Sequence, residues 1–234
     1  MQILIVRHGQ AVDDAPGLGD SGRWLTGKGR KVTRRVARWM TKRKGSRPAA
    51  IWTSPLVRAV QTAEIVAGAA ELTDQVTVVP ELSPGRDPAD LLRLLSSHRG
   101  PEPLALVGHE PQLSLLITSL IGEAAWAGLQ GTDDGEARPK LKKSGVAAIR
   151  WDGRGSATLR FLLDPKEMSA VSGVGAKATG DGGKGGKRGK GGKGGKRRKS
   201  NEDRGEQEQK RLDAPDAPDA PHAEDRAGDS APHA

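Results

Sequence analysis

Residues 2–9, Gln-Ile-Leu-Ile-Val-Arg-His-Gly, decide the fold, because a short apolar run ends there in two basic side chains and a glycine. A run of leucine and β-branched side chains of this length is typical of a buried strand. We therefore predict a strand over residues 2–6 that ends just before Arg7 and His8. The next residue, Gly9, lets the backbone come close to a ligand because it has no side chain.

Short apolar runs of this kind alternate with segments of helical periodicity along the first 120 residues. The alternation predicts an α/β fold, a three-layer sandwich in which a mostly parallel sheet carries helices on both faces. Two further apolar runs, joined by a turn at residues 152–155, predict a β-hairpin at one end of the sheet. The predicted strands are residues 2–6, 49–53, 75–79, 104–107, 146–151 and 157–163, and the predicted helices are residues 28–44 and those that begin at Ser54-Pro55, Asp87-Pro88 and Pro111.

The composition changes near residue 165, after which apolar residues become rare and Gly, Lys, Pro, Ala and Asp dominate. A segment with few apolar side chains cannot offset the entropy cost of ordering its backbone. We therefore predict one domain over residues 1–165, large enough to bury a core, and a disordered low-complexity tail over residues 166–234. Within this tail, residues 177–199 form a basic Gly/Lys block and residues 200–234 an acidic Ala/Pro/Asp segment.

The net charge of +9 does not by itself indicate a nucleic-acid-binding fold. Residues 177–199 contribute +9, since they hold ten Lys or Arg and one acid, and residues 200–234 contribute −6, with four basic and ten acidic residues. The excess is therefore partly a property of the tail. We expect the tail to be a solubilising extension. The alternative is that it makes non-specific, salt-dependent contact with polyanions. Base stacking is not expected, because the basic block has no aromatic residue.

The chain has no cysteine, which excludes disulfide frameworks, zinc-thiolate sites and a cysteine nucleophile. No apolar stretch approaches the length of a membrane span. The opening apolar run is too short for a signal peptide. We therefore expect a cytoplasmic protein without membrane contact.

Two histidines and two arginines follow the ends of three predicted parallel strands, and we expect them to meet at one edge of the sheet. His8 and Arg7 follow the first strand, Arg58 lies in the first turn after the second, and His109 follows the fourth. Two guanidinium groups match the oxygens of a phosphate, and a neutral imidazole is a good nucleophile toward phosphorus. Nearby arginines also disfavour the imidazolium form of His8. No acidic cluster accompanies these residues, so metal-assisted hydrolysis is disfavoured, and we expect neither a metal nor a cofactor.

Four segments resemble the motifs of the histidine phosphatase superfamily, whose fold is that of phosphoglycerate mutase. They are LIVRHGQA (residues 4–11), WLTGKGR (24–30), TSPLVRAVQTAEIV (53–66) and LALVGHEPQLSLLI (104–117), in the order of the family. PELSPG, VGHEPQLS and KSGVAAIRW are similar to SixA-type phosphohistidine phosphatases. The resemblance implies that His8 is the phosphorylated nucleophile, that His109 is a second catalytic histidine, and that Arg7 and Arg58 bind the phosphate.

The chain departs from mutase-like relatives, which carry a glutamate general acid in a Leu-x-Glu context after the third strand. Here Leu82 is followed by Ser83 and Pro84. Glu81 is the nearest acid, and we expect it to stabilise the loop rather than to donate a proton. A phosphate ester expels an alkoxide that needs a proton, whereas phosphohistidine expels an imidazole that leaves readily.

The missing acid therefore favours a phosphohistidine-bearing protein, such as a phosphotransfer protein, as the substrate. We expect the phosphatase to be a monomer and to need no metal. The first alternative is a phosphomonoesterase or mutase that acts on a small metabolite. The second is a phosphate-sensing or phosphoprotein-binding module, and the third is a nucleic-acid or other polyanion binder that acts through the tail.

Overall fold

The structure is a computed structural model that describes residues 1–14, 16–72, 74–129 and 140–175. The strands in these residues are β1 Gln2–Arg7, β2 Ala50–Thr53, β3 Val76–Val78, β4 Leu104–Gly108, β5 Val146–Trp151, β6 Ala157–Asp164 and β7 Ser169–Gly175. The helices are α1 Gly19–Gly22, α2 Gly27–Lys42, α3 Val57–Ala70, α4 Pro88–Ser97, α5 Gln112–Ile121 and α6 Glu123–Ala127, with a 3-10 helix at Pro80–Leu82. None of these helices is both long and apolar enough to cross a membrane.

The described strands form one mixed sheet in the order β3-β2-β4-β1-β5-β6-β7, with β1 at its centre. The strands β3, β2, β4 and β1 are parallel to one another, whereas β5, β6 and β7 continue the sheet antiparallel. In the register of β1 and β4, Arg7 lies opposite Gly108. The two strands therefore finish side by side, and the residues that follow them, His8 and His109, begin at the same edge.

Helices cover both faces of the sheet, as predicted. Ile3 and Ile5 of β1 pack on one face, in a core that includes side chains of α4, α5 and α6. Leu4 and Val6 pack on the other face, in a core that includes side chains of α2 and α3. All four side chains are at most 1% exposed, which confirms the three-layer architecture and explains why residues 3–6 of β1 are all apolar.

Of the four predicted helix starts, those of α2, α4 and α5 lie within one residue of the observed start, and that of α3 is wrong. Asp87 caps α4, accepting a hydrogen bond from the Ala89 amide at 2.9 Å, and Pro111 directly precedes α5. The helix predicted to begin at Ser54-Pro55 instead begins at Val57. Ser54 does not cap α3, since its Oγ accepts the amide of Leu56, which lies before the helix, at 3.3 Å and also contacts the ring of His109 beyond the end of β4.

The predicted domain boundary at residue 165 is too early, because β7 extends the sheet to Gly175. The sequence Ser-Ala-Val-Ser-Gly-Val-Gly has a weak apolar signal, and its order comes from backbone pairing with β6. Periodicity alone does not reveal pairing of this kind. The rest of the predicted tail, residues 176–234, lies outside the described residues.

Candidate active site

The shared edge of β1 and β4 brings the two predicted histidines into contact. The ring centroids of His8 and His109 are 4.9 Å apart, with their planes inclined by 50°. The backbone amide of His8 donates to the carbonyl of Gly108 at 3.1 Å, which continues the parallel ladder into the site. Both side chains are buried, His8 being 8% and His109 3% exposed.

The hydrogen bond of His8 fixes which ring nitrogen is available for chemistry. Its Nδ1 lies 2.7 Å from the carbonyl oxygen of Gly9. Because a carbonyl oxygen only accepts, Nδ1 must carry the proton, and in the neutral ring the lone pair is then on Nε2. The Nε2 atom of His8 is therefore the ring nitrogen whose lone pair is available.

Gly9 is held by neighbours that leave no room for a side chain. Its amide donates to Oγ1 of Thr62 at 3.1 Å. A Cβ at Gly9 would lie 2.6 Å from Oγ1 of Thr33 and 3.3 Å from the carbonyl oxygen of Gly29. Only glycine fits here, so the position of His8 depends on the absence of a side chain at the next residue.

Both histidines are neutral near pH 7. The pKa of His8 is lowered to about 4, mainly by burial and also by the positive charges of Arg58, Arg7 and Lys143, although the hydrogen bond to Gly9 raises it. Burial also lowers the pKa of His109 to about 3, helped by His8 and the two arginines. The predicted influence of the arginines is present, but burial is the larger cause.

Arg58 lies in the first turn of α3, with its side chain only 6% exposed. Its Nη1 donates to the backbone carbonyl of Asp20 at 2.6 Å, and its Nη2 to Oδ2 of the same residue at 2.9 Å. The hydrogen bond from Arg58 holds the pKa of Asp20 below its usual range. Sequence reasoning missed Asp20, because no local pattern in the loop before α2 points to α3.

Arg7, the residue before His8, is half-buried. Its Nη1 donates to the backbone carbonyl of Leu141 at 2.8 Å. The amide of Leu141 in turn donates to Oε1 of Glu110 at 3.2 Å. Burial lowers the pKa of Arg7 and raises that of Glu110, and each charge favours the ionised form of the other. Glu110 was also missed, although it directly follows His109.

His109 is oriented by Ser54, whose Oγ lies 2.9 Å from Nε2 of the imidazole. The serine therefore serves the site rather than capping α3. Behind His109, Nε2 of Gln112 donates to the backbone carbonyl of Glu81 at 2.6 Å and to that of Arg86 at 3.2 Å. Gln112 thus holds this loop through the backbone of Glu81, and the role of the Glu81 side chain stays a prediction.

The described residues contain no group of three His, Asp or Glu side chains that could hold a metal ion. The site instead pairs a neutral imidazole, with its nucleophilic nitrogen identified, with two buried or half-buried guanidinium groups. Such an arrangement suits attack on a tetrahedral anion whose negative charge the arginines share.

Comparison with known proteins supports the resemblance seen in the motifs. The model of the histidine phosphatase superfamily (branch 1) matches residues 3–83. The phosphohistidine phosphatase SixA of Escherichia coli is 28% identical over 176 residues, which span 74% of this chain and 100% of that protein. An uncharacterized protein of Picosynechococcus sp. is 38% identical over 152 residues, 64% of this chain and 85% of its own length.

Solved structures support the fold. The protein histidine phosphatase SixA complexed with tungstate superimposes with a TM-score of 0.60 at 29% identity, covering 72% of this chain and 100% of the other. A phosphoserine phosphatase variant from Entamoeba histolytica, in complex with phosphoserine, superimposes with a TM-score of 0.51 at 15% identity, covering 72% and 99%. The second likeness concerns the fold alone.

Proposed function

The chain belongs to the histidine phosphatase superfamily, and from this premise we propose that it hydrolyses phosphohistidine on a protein through a phosphorylated His8 intermediate. Membership of the superfamily supports phosphatase activity, and SixA, at 28% identity, is the relative that motivates the finer substrate assignment. The observation that carries the proposal is the geometry of His8. Its ring is neutral, its Nδ1 proton is fixed on Gly9, and the charges of Arg7 and Arg58 act on it.

In the first step, Nε2 of His8 attacks phosphorus and the phosphorus–nitrogen bond of the substrate breaks. The departing imidazole takes the electron pair and leaves as a neutral ring when its other nitrogen carries a proton. Arg7 and Arg58 stabilise the negative charge on the equatorial oxygens, and His109 contacts the same group. Positive charge develops on the ring of His8, where the Gly9 carbonyl stabilises it through the bond to Nδ1.

In the second step, water attacks the phosphorus atom of phosphorylated His8. The bond between phosphorus and Nε2 breaks, and the electron pair returns to the ring. One proton of the water remains on the hydroxyl group bound to phosphorus, and the other passes to a phosphate oxygen or to solvent. His8 is again neutral, its Nδ1 still bound to Gly9, and inorganic phosphate leaves.

The phosphoramidate class of substrate is supported by the residues after β3. Leu82, Ser83 and Pro84 offer no carboxyl group where mutase-like relatives carry their acid. The adjacent Glu81 takes part in the loop through its backbone carbonyl, which Gln112 holds. A leaving imidazole requires less help from an acid than an alkoxide does, so this local sequence is better suited to phosphohistidine.

We assign catalysis to residues 1–175, acting as a monomer in the cytoplasm. We assign no metal ion to the reaction, because the arginines supply positive charge at the phosphate. Contact of the basic block, residues 177–199, with polyanions is proposed as non-specific and separate from catalysis.

The substrate assignment is tested by comparing kcat/KM for a phosphohistidine protein, for p-nitrophenyl phosphate and for 3-phosphoglycerate, each with and without a chelator. We expect the phosphohistidine protein to be the best substrate and the chelator to have no effect. Faster turnover of 3-phosphoglycerate would favour the alternative of a phosphatase or mutase for small metabolites. Loss of activity with the chelator would contradict metal independence.

A further inference from the structure

Helix α2 carries seven Lys or Arg and no acidic residue over its sixteen positions. Five of these cations recur at alternating intervals of three and four residues, which places them along one side of a helix. All five are exposed, on the side opposite the buried residues of α2. This basic stripe consists of Lys28, Lys31, Arg35, Arg38 and Lys42.

Among the residues that the structure describes, no cation of the basic stripe forms a salt bridge with an acidic side chain. The salt bridges among the described residues involve Arg23, Arg47, Arg58 and Arg93, none of which belongs to α2. Like charges three or four residues apart along a helix repel each other and destabilise it. An acidic partner would relieve this repulsion, whereas solvent alone only screens it.

The basic stripe begins at the rim of the candidate active site. The N-terminal turn of α2 packs on the strand exit, since a Cβ at Gly29 would lie 2.1 Å from the carbonyl oxygen of Gln10. Gln10 is two residues from His8, and the positive charge of Lys143 reaches His8 from another side. From Lys28 to Lys42 the stripe runs about 21 Å, at about 1.5 Å per residue. A single phosphate group cannot span that length.

A groove of about 470 Å³ lies beside the stripe, between α2 and α3. Arg34 and Arg38 line it together with Ile65, Gly68 and Ala69. Two guanidinium groups above an apolar floor can receive an acidic side chain together with the aliphatic carbons that carry it. The groove therefore adds a shaped contact to the charge of the basic stripe.

We propose that the basic stripe and this groove dock an acidic face of the phosphorylated protein substrate, so that its phosphohistidine reaches His8. This inference rests on the proposed function and adds how the partner is chosen. Charge complementarity argues for an acidic protein surface. Nucleic acid is the weaker candidate, because the one aromatic side chain of α2, Trp39, already contacts Phe161 in a T-shaped pair and has the guanidinium of Arg43 over its ring.

The test uses the full chain with Lys31→Glu, Arg38→Glu and Lys42→Glu combined. Lys28 is spared because it lies next to the site, and Arg35 because it donates to the carbonyl of Pro165. We measure kcat/KM for an acidic phosphohistidine-bearing phosphotransfer domain and for free phosphohistidine, at low and high salt. Electrostatic steering raises association rates by about 10–10³-fold, so kcat/KM for the protein substrate should fall by roughly tenfold or more at low salt.

The matched control reverses three exposed cations elsewhere, as Arg93→Glu, Arg99→Glu and Arg154→Glu. The first two lie at or just beyond α4, on the opposite face of the sheet, so the net charge changes equally without touching the stripe. We expect this control to keep more than half of the wild-type kcat/KM for the protein. A second stripe variant with Gln at the same three positions should show a smaller loss, which separates charge from folding.

The possible results of these experiments test the docking surface, the proposed function and the nature of the partner separately. Equal losses in the stripe variant and in the control would overturn the docking surface and leave the proposed function intact. A wild type that cleaves neither phosphohistidine substrate would overturn the proposed function itself. A stripe variant that loses binding to a short DNA duplex while retaining phosphoprotein turnover would assign the surface to nucleic acid instead.

Discussion

Arg58 donates one hydrogen bond to the carboxylate of Asp20 and a second to the backbone carbonyl of the same residue, at 2.9 and 2.6 Å. The guanidinium is buried, whereas the side chain of Asp20 is 55% exposed. The pair therefore joins the loop that carries α1 to the arginine proposed to bind phosphate. It holds the planar group in one orientation before substrate binds, leaving its remaining N–H groups for phosphate.

The Asp20→Ala variant tests this positioning role. Without the carboxylate, Arg58 loses one of its two anchors, and kcat/KM for the phosphohistidine protein should fall by roughly tenfold, as expected for a charged hydrogen bond worth about 1.5–3 kcal/mol. Asp20→Asn keeps an oxygen acceptor and should retain most of the activity. Inhibition by tungstate measures the affinity of the site for an oxyanion. Unchanged kcat/KM with tighter tungstate inhibition in Asp20→Ala would show that Asp20 competes with phosphate instead.

The pH dependence of kcat/KM reports the protonation of the nucleophile. Burial lowers the pKa of His8 to about 4, so the ring is neutral and reactive above this value and protonated and unreactive below it. We expect protonation of His8 to cause no loss of kcat/KM between pH 7.5 and about 6, and a fall of about tenfold per pH unit below about 4. A profile that falls already below pH 6.5 would indicate an unperturbed histidine and contradict the buried, neutral state of His8. Circular dichroism over the same range controls for unfolding.

Glu110 is predicted to position Arg7 through Leu141. The carboxyl group accepts the Leu141 amide, and the Leu141 carbonyl accepts Arg7. Glu110→Ala removes this support and should lower stability by about 1–3 kcal/mol while weakening tungstate inhibition several-fold. Glu110→Gln retains an acceptor and should lose less of both. Urea denaturation and inhibition constants provide the measurements. Equal tungstate inhibition in wild type and Glu110→Ala would show that Glu110 acts on stability alone.

Gly9→Ala tests the close packing beside the nucleophile. The added methyl group would meet Oγ1 of Thr33 at 2.6 Å, so the backbone must shift and carry the Nδ1 acceptor of His8 with it. We expect kcat to fall at least tenfold, since small misplacements of a nucleophile have large effects on rate. Gly27→Ala is the matched control, because its Cβ would meet nothing within 4 Å.

The double variant Gly9→Ala/Thr33→Ala removes the oxygen that the methyl group meets, and it should recover part of the lost kcat. No recovery would place the effect of Gly9→Ala in the backbone rather than in this contact.

The fold and the meeting of four side chains could be predicted because both depend on local patterns and on one general rule. Apolar runs predict the strands, and parallel strands end at a common edge, which places His8 beside His109. Whether these residues carry out the chemistry stays a prediction. The boundary at residue 165 was wrong because β7 is ordered by pairing with β6 rather than by its own apolar side chains.

The supporting contacts of the site could not be predicted because they depend on the path of loops. Asp20 reaches Arg58 across thirty-eight positions, and Glu110 reaches Leu141 across thirty-one. Neither spacing corresponds to a helical or strand period. Ser54 shows a different difficulty, since a serine before a proline suits a helix cap as well as it suits a hydrogen bond to His109. Such alternatives are decided by the tertiary structure.

The most direct test of the account is to trap the phosphorylated enzyme. We mix a phosphohistidine protein with wild type, His8→Ala or His98→Ala and quench each reaction in alkali. His98→Ala is the control, because the wild-type His98 ring packs edge-on against Trp52 away from the site. Mass spectrometry then locates the acid-labile phosphate. We predict phosphate on His8 in wild type and His98→Ala, and neither phosphate nor turnover in His8→Ala. Wild-type turnover by His8→Ala, or phosphate trapped on another residue, would contradict the proposed mechanism.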